Sequence, residues 1–360
     1  MPGTTRISLE GVARRLSTVF GPWSRAEETN EWDLRRERIS LVRVYGISGA
    51  ISVRGVTGDR ASLHVRKVIH IPQVGAAEAF ASRIRVRYSL RNEKLYVRVL
   101  HPRPPIGGRV FVHLELHVPH AVDVDLRASR GPISVRSVEG ALQGYTRAGN
   151  ITVRDCLGPM TLESGDGIID VADSEGGVVV RCGRGAVRLD AVSGRVRVRS
   201  HDAHVTATGV RGALDARMRR GSVSLIGGSG RVRLQIGHGD VKAALGAGHR
   251  DVVVTNHRGR VALSLGAVEG EIRVDVRQGD VQLALDPAFS GRLEALTHAG
   301  QVRAGILGTD VGVPVNRIDV QMGGSEAAHV RMVSAEGDIS VTNTRRDTDT
   351  KLDKDEEAEA

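Results

Sequence analysis

Apolar and polar residues alternate along most of this chain, from about residue 129 to residue 343. Each short unit begins with a glycine and places apolar residues two and four positions later, as in Gly149-Asn150-Ile151-Thr152-Val153. A period of two predicts a β-strand with one buried face and one exposed face. The same spacing argues against a helix, since residues two apart lie on different sides of a helix.

The glycines that open these units return every nine residues. Ala203 fills one position of the series, and the other positions are Gly131, Gly140, Gly149, Gly158, Gly167, Gly176, Gly185, Gly194, Gly212, Gly221, Gly230 and Gly239. Each unit is therefore predicted to be one strand followed by a corner.

Two kinds of corner alternate, so the full repeat is eighteen residues long. In one set of units an inward position lies three residues before the next glycine, at Thr146, Ser164, Cys182, Ser200, Met218 and Ile236. In the other set it lies two residues before the glycine, at Val138, Cys156, Ser174, Val192 and Val210. Two facing strands then form one coil, and the sequence predicts an all-β solenoid with two strands per coil of about 18 to 20 residues.

Later coils are longer at one corner only. The positions equivalent to the glycines become Arg250, Gly259, Gly270, Gly279, Gly291 and Gly300, so that steps of nine alternate with steps of eleven or twelve. The pattern weakens after Gly300 and returns in Ile318/Val320, Val330/Met332 and Ile339/Val341. We expect these pairs to belong to the same array, which runs to about residue 343.

The whole chain divides into four regions. We expect an irregular N-terminal arm at 1–37, an N-terminal β cap at 38–128, the repeat array at 129–343 and a disordered acidic tail at 344–360. The elements predicted in the cap are strands Ile39–Val44, Ala50–Val53, Ala61–Val68, Leu95–Leu100 and Val110–Val118, with a short helix at Ala76–Ile84. The cap would protect the first edge of the stack.

Composition agrees with a narrow β interior. Aromatic residues make up only 3% of the chain, so the core must be built from Val, Ile, Leu and Ala. The two cysteines, Cys156 and Cys182, belong to opposite kinds of corner in different coils. We therefore expect them to be small buried hydrophobes and not a disulfide.

The N-terminus carries no apolar run typical of a signal peptide, and no segment is long enough to span a membrane. A cytoplasmic location is the expectation, with peripheral membrane or envelope association as the alternative. Residues 5–23 mix apolar residues with arginines, as a short amphipathic helix does. Such a helix would pack over the end of the sheet or rest on a membrane.

The units Gly-x-Ile-x-Val, the strand Gly49-Ala50-Ile51-Ser52-Val53 and the exit Val118-Pro119 carry a resemblance to a known family. Over about residues 38–342 the chain resembles the putative adhesin family, bacterial β-strand repeat proteins with a domain of unknown function. The resemblance implies a single-stranded right-handed β-solenoid, often associated with the cell envelope. This chain departs from many members because it shows no signal peptide or lipid anchor.

Enzyme and calcium chemistry find little support in the pattern. The units lack the regularly placed Asp ligands of a calcium β-roll. A glycosidase needs two carboxylates held a few ångströms apart, and the densest acidic group is Glu163, Asp166 and Asp170. These residues alternate on an open wall, and Tyr145 is the one coil residue available for stacking on a sugar. We expect no catalytic residues.

Two histidine groups resemble metal ligands. His113, Glu115 and His117 share one face of a strand, but the two histidines would stand about 13 Å apart along an extended chain. His201, Asp202 and His204 are closer together but offer no fourth ligand. Both groups are interpreted as solvated surface, and no metal or cofactor is expected.

Arginine is the most informative chemical signal. The formal net charge is +9, and only five of the 51 basic residues are lysines. Stacking the coils places seven arginines on one wall, which we call the arginine surface: Arg181, Arg195, Arg197, Arg199, Arg217, Arg231 and Arg233. The facing wall has mostly small neutral residues, at Asn150, Thr152, Ala186, His204, Thr206, Ser222 and Ser224.

This surface allows two interpretations. It could bind a protein, an anionic polymer or an anionic membrane, or it could simply keep the protein soluble. Sequence-specific binding to nucleic acid is not expected, since single-strand binders use aromatic partners.

Three functional hypotheses follow. The first is a non-catalytic structural or interaction protein whose rigid solenoid presents the arginine surface to a partner. The second is a scaffold that polymerises end to end like the bactofilins, which are also cytosolic β-solenoids. The third is a carbohydrate-active β-helix enzyme, which would need a groove with paired carboxylates.

Overall fold

The computed structural model describes residues 6–8, 24–34, 38–58, 61–73, 75–246, 248–266, 268–287, 289–305, 315–323 and 328–343. Across these residues the chain is all-β apart from one short helix, and its strands join into one long open sheet. This result agrees with the predicted all-β class.

The N-terminal elements are β1 Arg6–Ser8, β2 Ser24–Asp33, β3 Leu41–Ser48, β4 Ile51–Val56, β5 Ser62–Ile71, α1 Ala76–Ala81, β6 Arg85–Arg91, β7 Lys94–Leu100 and β8 Arg109–Pro119. The first strands of the repeat region are β9 Asp123–Arg130, β10 Ile133–Arg136, β11 Leu142–Ala148, β12 Ile151–Arg154, β13 Met160–Glu175, β14 Val178–Ser193, β15 Val196–Thr208, β16 Leu214–Arg220 and β17 Val223–Ile226. The remaining strands are β18 Gly230–His238, β19 Val241–Leu245, β20 His249–Arg258, β21 Val261–Leu265, β22 Gly270–Gln278, β23 Val281–Leu285, β24 Gly291–Ala299, β25 Val302–Ala304, β26 Arg317–Met322, β27 Ala328–Glu336 and β28 Ile339–Asn343.

Parallel pairing follows the eighteen-residue repeat. On one side of the stack Leu142 pairs with Met160, and Met160 pairs with Val178. On the other side Ile133 pairs with Ile151, and Ile151 with Ile169. The offset grows to twenty residues in later strands, as where β19 pairs with β21 and β21 with β23. The predicted lengthening of the later repeats is therefore present.

These pairings form two series of strands. The series that contains β9, β11, β16, β18, β20 and β22 is called the first wall, and the series that contains β4, β10, β12, β17, β19, β21 and β23 is called the second wall. The long strands β13, β14 and β15 pair with members of both series, so each wall receives one half of them.

The core is made of the alternating apolar residues that the pattern predicts. Val178, Val180, Val187 and Leu189 of β14 are at most 1% exposed, and their counterparts in neighbouring strands are equally buried. Neither cysteine forms a disulfide, and both are buried. Burial raises the pKa of the Cys182 thiol, as it does for Cys156. The prediction of small buried hydrophobes is confirmed.

Glycine is needed at the corners because adjacent strands come into close contact there. Gly185 has a φ of 129°, and a Cβ atom at this position would collide with the carbonyl oxygen of Gly167 in the preceding repeat. Only glycine combines such a φ with the absence of a side chain. The nine-residue period of glycine therefore marks successive corners.

The N-terminal segment contains a strand that the sequence pattern did not predict. β2 lies within the segment interpreted as an irregular arm, yet it pairs antiparallel with β5 along its whole length. β5 pairs antiparallel with β8, and β8 pairs parallel with β4 of the second wall. The predicted helix at 5–23 falls mostly outside the described residues, and Arg6–Ser8 is a strand paired with β2. β2 contains several charged residues, so it lacks the regular alternation of apolar and polar residues from which a strand is predicted.

The last repeats are not stacked in chain order. β27 pairs with β22 on one side and with β24 on the other, while β28 lies between β23 and β25. β26 pairs antiparallel with β24, and its Ile318 and Val320 are only half-buried. The cause is that every repeat presents the same parallel edge, so periodicity cannot specify which repeats are neighbours.

No helix among the described residues has the length and apolarity needed to cross a lipid bilayer. The acidic tail predicted at 344–360 lies outside the described residues.

Candidate functional site

The strand register places the seven predicted arginines on the first wall. Arg181, Arg199 and Arg217 pair in register across β14, β15 and β16, which makes a column of three guanidinium groups. Neighbouring strands lie about 4.8 Å apart, so the column repeats at that distance.

A second column runs beside the first. Arg197 and Arg233 belong to it, and Asp215 lies between them in register. Arg195 immediately precedes β15, and Arg231 is in β18 one residue before the buried Val232. All seven side chains are exposed.

Ion pairs divide the arginine surface into two groups. Arg181 lies 3.6 Å from Glu163, Arg217 lies 3.4 Å from Asp215, and Arg231 lies 2.9 Å from Asp251. Among the described residues, no carboxylate forms an ion pair with the other four, which are Arg195, Arg197, Arg199 and Arg233. Three of these four lie in or directly before β15, so charge without a partner is concentrated there.

The second wall carries charge as well. Asp170 and Arg188 share one outward column with Thr152 and Thr206. Arg154 pairs with Asp170 at 2.5 Å, so part of this charge is compensated. The sequence-based list of neutral positions omitted these residues because it did not include that column in full.

The three carboxylates considered for glycoside hydrolysis do not converge. Glu163 belongs to the first wall and Asp170 to the second, because they pair with Tyr145 and Thr152 respectively. Each is held by an arginine, and Asp166 lies 2.7 Å from Arg184. This arrangement stabilises the sheet surface and does not form the opposed pair of a glycosidase.

The histidine groups make local contacts. The Nε2 atom of His117 lies 3.4 Å from Glu115, while the Ala50 amide donates to Nδ1 of His113 at 3.2 Å. Burial lowers the pKa of His113. His204 contacts Ser222 at 2.8 Å. Within the described ranges, no three His, Cys, Asp or Glu side chains are grouped to hold a metal ion.

The first wall also carries a group of tyrosine and arginine side chains that the sequence did not predict. Tyr45 of β3, Arg127 of β9 and Tyr145 of β11 pair in register in one column. The neighbouring column contains Arg43 opposite Tyr96 of β7. Tyr145 was recognised from its outward position in a repeat, but Tyr45 and Tyr96 lie outside the regular period, so only the strand pairing reveals the group.

Comparisons with known proteins give distant similarities. No family model matches the chain, and no curated protein matches it. A solved structure from Clostridium sporogenes, described as a putative cell adhesion protein, is 10% identical with a TM-score of 0.19, over 89% of this chain and all of that one. A putative adhesin from Bacteroides fragilis is 12% identical with a TM-score of 0.23, over 88% of this chain and 97% of the other.

A third solved structure, described as a putative lipid binding protein from Parabacteroides distasonis, is 8% identical with a TM-score of 0.21. It covers 88% of this chain and 97% of its own. At these identities and scores, the similarities give this chain neither a family nor a function.

Proposed function

We propose that the protein is a non-catalytic interaction protein, a rigid right-handed β-solenoid whose arginine surface binds a linear polyanion. The observation that carries the proposal is the group Arg195, Arg197, Arg199 and Arg233, which is exposed on one wall and has no carboxylate partner among the described residues.

The solenoid is supported by the constant offset between paired strands. Leu142, Met160, Val178 and Val196 follow one another in register at intervals of eighteen residues, and the second wall repeats the same offset. Two walls with apolar residues facing inward enclose a continuous core when the chain coils. Such a coil is stiff because each strand is hydrogen-bonded on both sides.

A linear polyanion suits the arginines because both repeat along one direction. Guanidinium groups bind phosphates and carboxylates through paired hydrogen bonds, and they need no rearrangement when strands already fix their spacing. An anionic membrane offers the same charge and is the alternative that the experiment separates.

The test replaces Arg197, Arg199 and Arg233 together with serine. The control replaces Arg154, Arg184 and Arg273 together with serine, so both variants lose three positive charges. The three control arginines form ion pairs, with Asp170, Asp166 and Asp275 respectively. We expect polyphosphate binding to weaken at least about tenfold in the test variant, and the slope of log K against log salt to fall by about two. The control should keep affinity within about threefold.

Vesicles of phosphatidylglycerol and of phosphatidylcholine form the second arm of the experiment. Binding to the anionic vesicles without binding to polyphosphate would show that the arginine surface binds an anionic membrane and not a linear polyanion. An equal loss of affinity in both triple variants would show that only the net charge matters, and this outcome would overturn the proposal.

The two other hypotheses have weaker support. End-to-end polymerisation requires exposed parallel edges, but antiparallel strands cover the first repeat through β8, β5 and β2, and β26 lies against β24 at the other end. A carbohydrate-active enzyme requires carboxylates that face each other across a groove, and Glu163, Asp166 and Asp170 are instead paired with arginines.

A further inference from the structure

Three of the protein's four tyrosines project from the first wall near its N-terminal end. Tyr45 and Tyr145 lie on either side of Arg127 in one column, and Tyr145 is 41% exposed. Because they are two strands apart, the positions of the two rings on the wall are separated by about 9–10 Å. Aromatic side chains are scarce in this protein, so their placement on one face distinguishes this region from the rest of the wall.

A buried carboxylate holds two arginines that lie beside the tyrosine rings. Asp125 is only 5% exposed, and its two oxygens lie 2.9 Å from Nε of Arg43 and 3.2 Å from Nε of Arg127. The Arg43 guanidinium lies 5.8 Å from the centre of the Tyr96 ring, and the Arg127 guanidinium lies 5.9 Å from that of Tyr45. The carboxylate and the rings therefore hold both guanidinium groups in place before any ligand arrives.

A groove of about 390 Å³ opens between Tyr45 and Tyr145. Gly46, Ala128 and Gly144 line part of it with their backbone, because these positions face the core: a Cβ atom at Gly46 would meet Ile51, and one at Gly144 would meet Leu162. Besides the two tyrosines, the polar residues that line the groove are Asp125, Arg127, Ser129, Gln143, Thr161 and Glu163. We call this feature the tyrosine groove.

We propose that the tyrosine groove binds an uncharged oligosaccharide chain, with one sugar ring against Tyr145 and another against the part of the Tyr45 ring that the Arg127 guanidinium leaves uncovered. The apolar face of a sugar ring packs against an aromatic ring, and sugar hydroxyls both donate and accept hydrogen bonds. Arg127 and the Gln143 amide supply donors, while the Gln143 oxygen and the Glu163 carboxylate supply acceptors. The two rings stand about 9–10 Å apart, so one linear chain of sugars can contact both.

Charge balance separates this groove from the arginine surface. The Asp125 carboxylate lies between Arg43 and Arg127, and Glu163 lies 3.6 Å from Arg181, so the arginines at the groove have carboxylate partners. A phosphate chain would meet the Glu163 carboxylate at like charge, which is unfavourable. A neutral ligand avoids this cost and still uses the aromatic rings.

The experiment titrates the intact protein by calorimetry with three neutral linear pentasaccharides: a β-1,4-glucan, a β-1,4-N-acetylglucosamine oligomer and an α-1,4-glucan. We expect at least one to bind with a dissociation constant of about 1 mM or below. Tyr45→Ala and Tyr145→Ala should each weaken that binding about tenfold, since a stacking ring is lost. Tyr145→Phe keeps the ring and should stay within about threefold of the parent.

Two controls keep the result specific. Tyr88 is exposed to the same degree as Tyr145, but it contacts Trp32 in a tilted arrangement and does not line the groove, so Tyr88→Ala should leave sugar binding unchanged. The variant with serine at Arg197, Arg199 and Arg233 should also bind the sugar normally, which makes the test independent of the polyanion proposal. Thermal unfolding of every variant verifies that the fold is retained.

Two outcomes would overturn the inference. One is that none of the three pentasaccharides binds the intact protein. The other is that sugar binding survives both Tyr45→Ala and Tyr145→Ala in folded protein. If oligothymidylate binds through Tyr145 and the sugars do not, the groove belongs to single-stranded nucleic acid and the sugar proposal is wrong.

Discussion

The hydroxyl of Ser164 donates a hydrogen bond of 2.9 Å to the carbonyl oxygen of Gly149, fifteen residues earlier in the chain. Thr146 makes the equivalent bond to Gly131 at 3.2 Å, and Asn256 uses its amide to reach Gly239 at 3.0 Å. The polar side chain at the inward position of one corner therefore donates a hydrogen bond to the carbonyl oxygen of the glycine at the opposite corner. This contact explains why polar residues recur at positions inside an apolar core.

Ser164→Ala should lower the free energy of unfolding by about 1–2 kcal/mol, because the Gly149 carbonyl loses a partner in a buried place. Urea unfolding followed by circular dichroism measures the change. Ser134 projects outward from β10, so Ser134→Ala is the matched control and should change stability by less than about 0.5 kcal/mol. Equal effects of the two substitutions would contradict the role given to the buried hydroxyl.

Gly185→Ala should destabilise the protein by several kcal/mol, on the order of 3 or more, since both the φ of 129° and the Gly167 carbonyl exclude a Cβ atom. The expected result is a loss of soluble folded protein or a large fall in the unfolding midpoint. A Cβ atom added at Gly246 would meet no other atom within 4 Å, so Gly246→Ala provides the comparison and should be nearly neutral. A stable Gly185→Ala variant would show that this corner can rearrange.

The corner glycine and the inward polar residue can both be predicted from the sequence, because each repeats at a fixed interval. Gly185 and Ser164 each occupy a position that returns every eighteen residues, so the pattern reveals the corner and its inward neighbour. The arginine columns follow from the same interval, since Arg181, Arg199 and Arg217 are spaced by eighteen.

The tyrosine groove could not be found in the same way. Tyr45 meets Arg127 through the pairing of β3 with β9, and this contact joins the cap to the repeat region at an interval that occurs once. The inserted position of β27 was hidden for a related reason, because its apolar pattern is the same as that of any other repeat. Periodicity predicts local strands well, but long-range neighbours depend on which edges meet first.

Stability should fall as the solution becomes acidic, through histidines that are buried in the folded state. His249 is 1% exposed, and burial lowers its pKa below the ordinary value of 6.5. Burial lowers the pKa of His70 and of His113 as well. Below pH 6.5 the unfolded chain therefore binds more protons than the folded chain, so stability is complete above this pH and is lost as the pH decreases.

Urea unfolding at pH 8, 7, 6 and 5 measures this dependence. In His249→Gln the free energy of unfolding should fall less below about pH 6.5 than in the parent, because one buried imidazole no longer takes up a proton on unfolding. His238 is exposed at the end of β18, and His238→Gln should retain the parent's decline. An unchanged pH dependence in His249→Gln would assign the acid sensitivity to other groups.

Val330→Asp should release the last strands without unfolding the whole stack. Val330 is fully buried in β27, and a carboxylate there has no charged partner among its buried neighbours. β24 is joined to the stack by β27, so the loss of β27 should expose the amides of β24 and of β26, which pairs with β24. Hydrogen exchange followed by mass spectrometry should show faster exchange in these strands, while β9 to β14 stay protected.

Val320→Asp is the comparison, since Val320 is half-buried in β26 at the edge of the sheet. That variant should speed exchange in β26 and leave β27 and β28 protected, because both of these strands pair with strands other than β26. If the two variants exchange alike, or if Val330→Asp unfolds β9 to β14 as well, β27 does not act as the link between the last repeat and the stack.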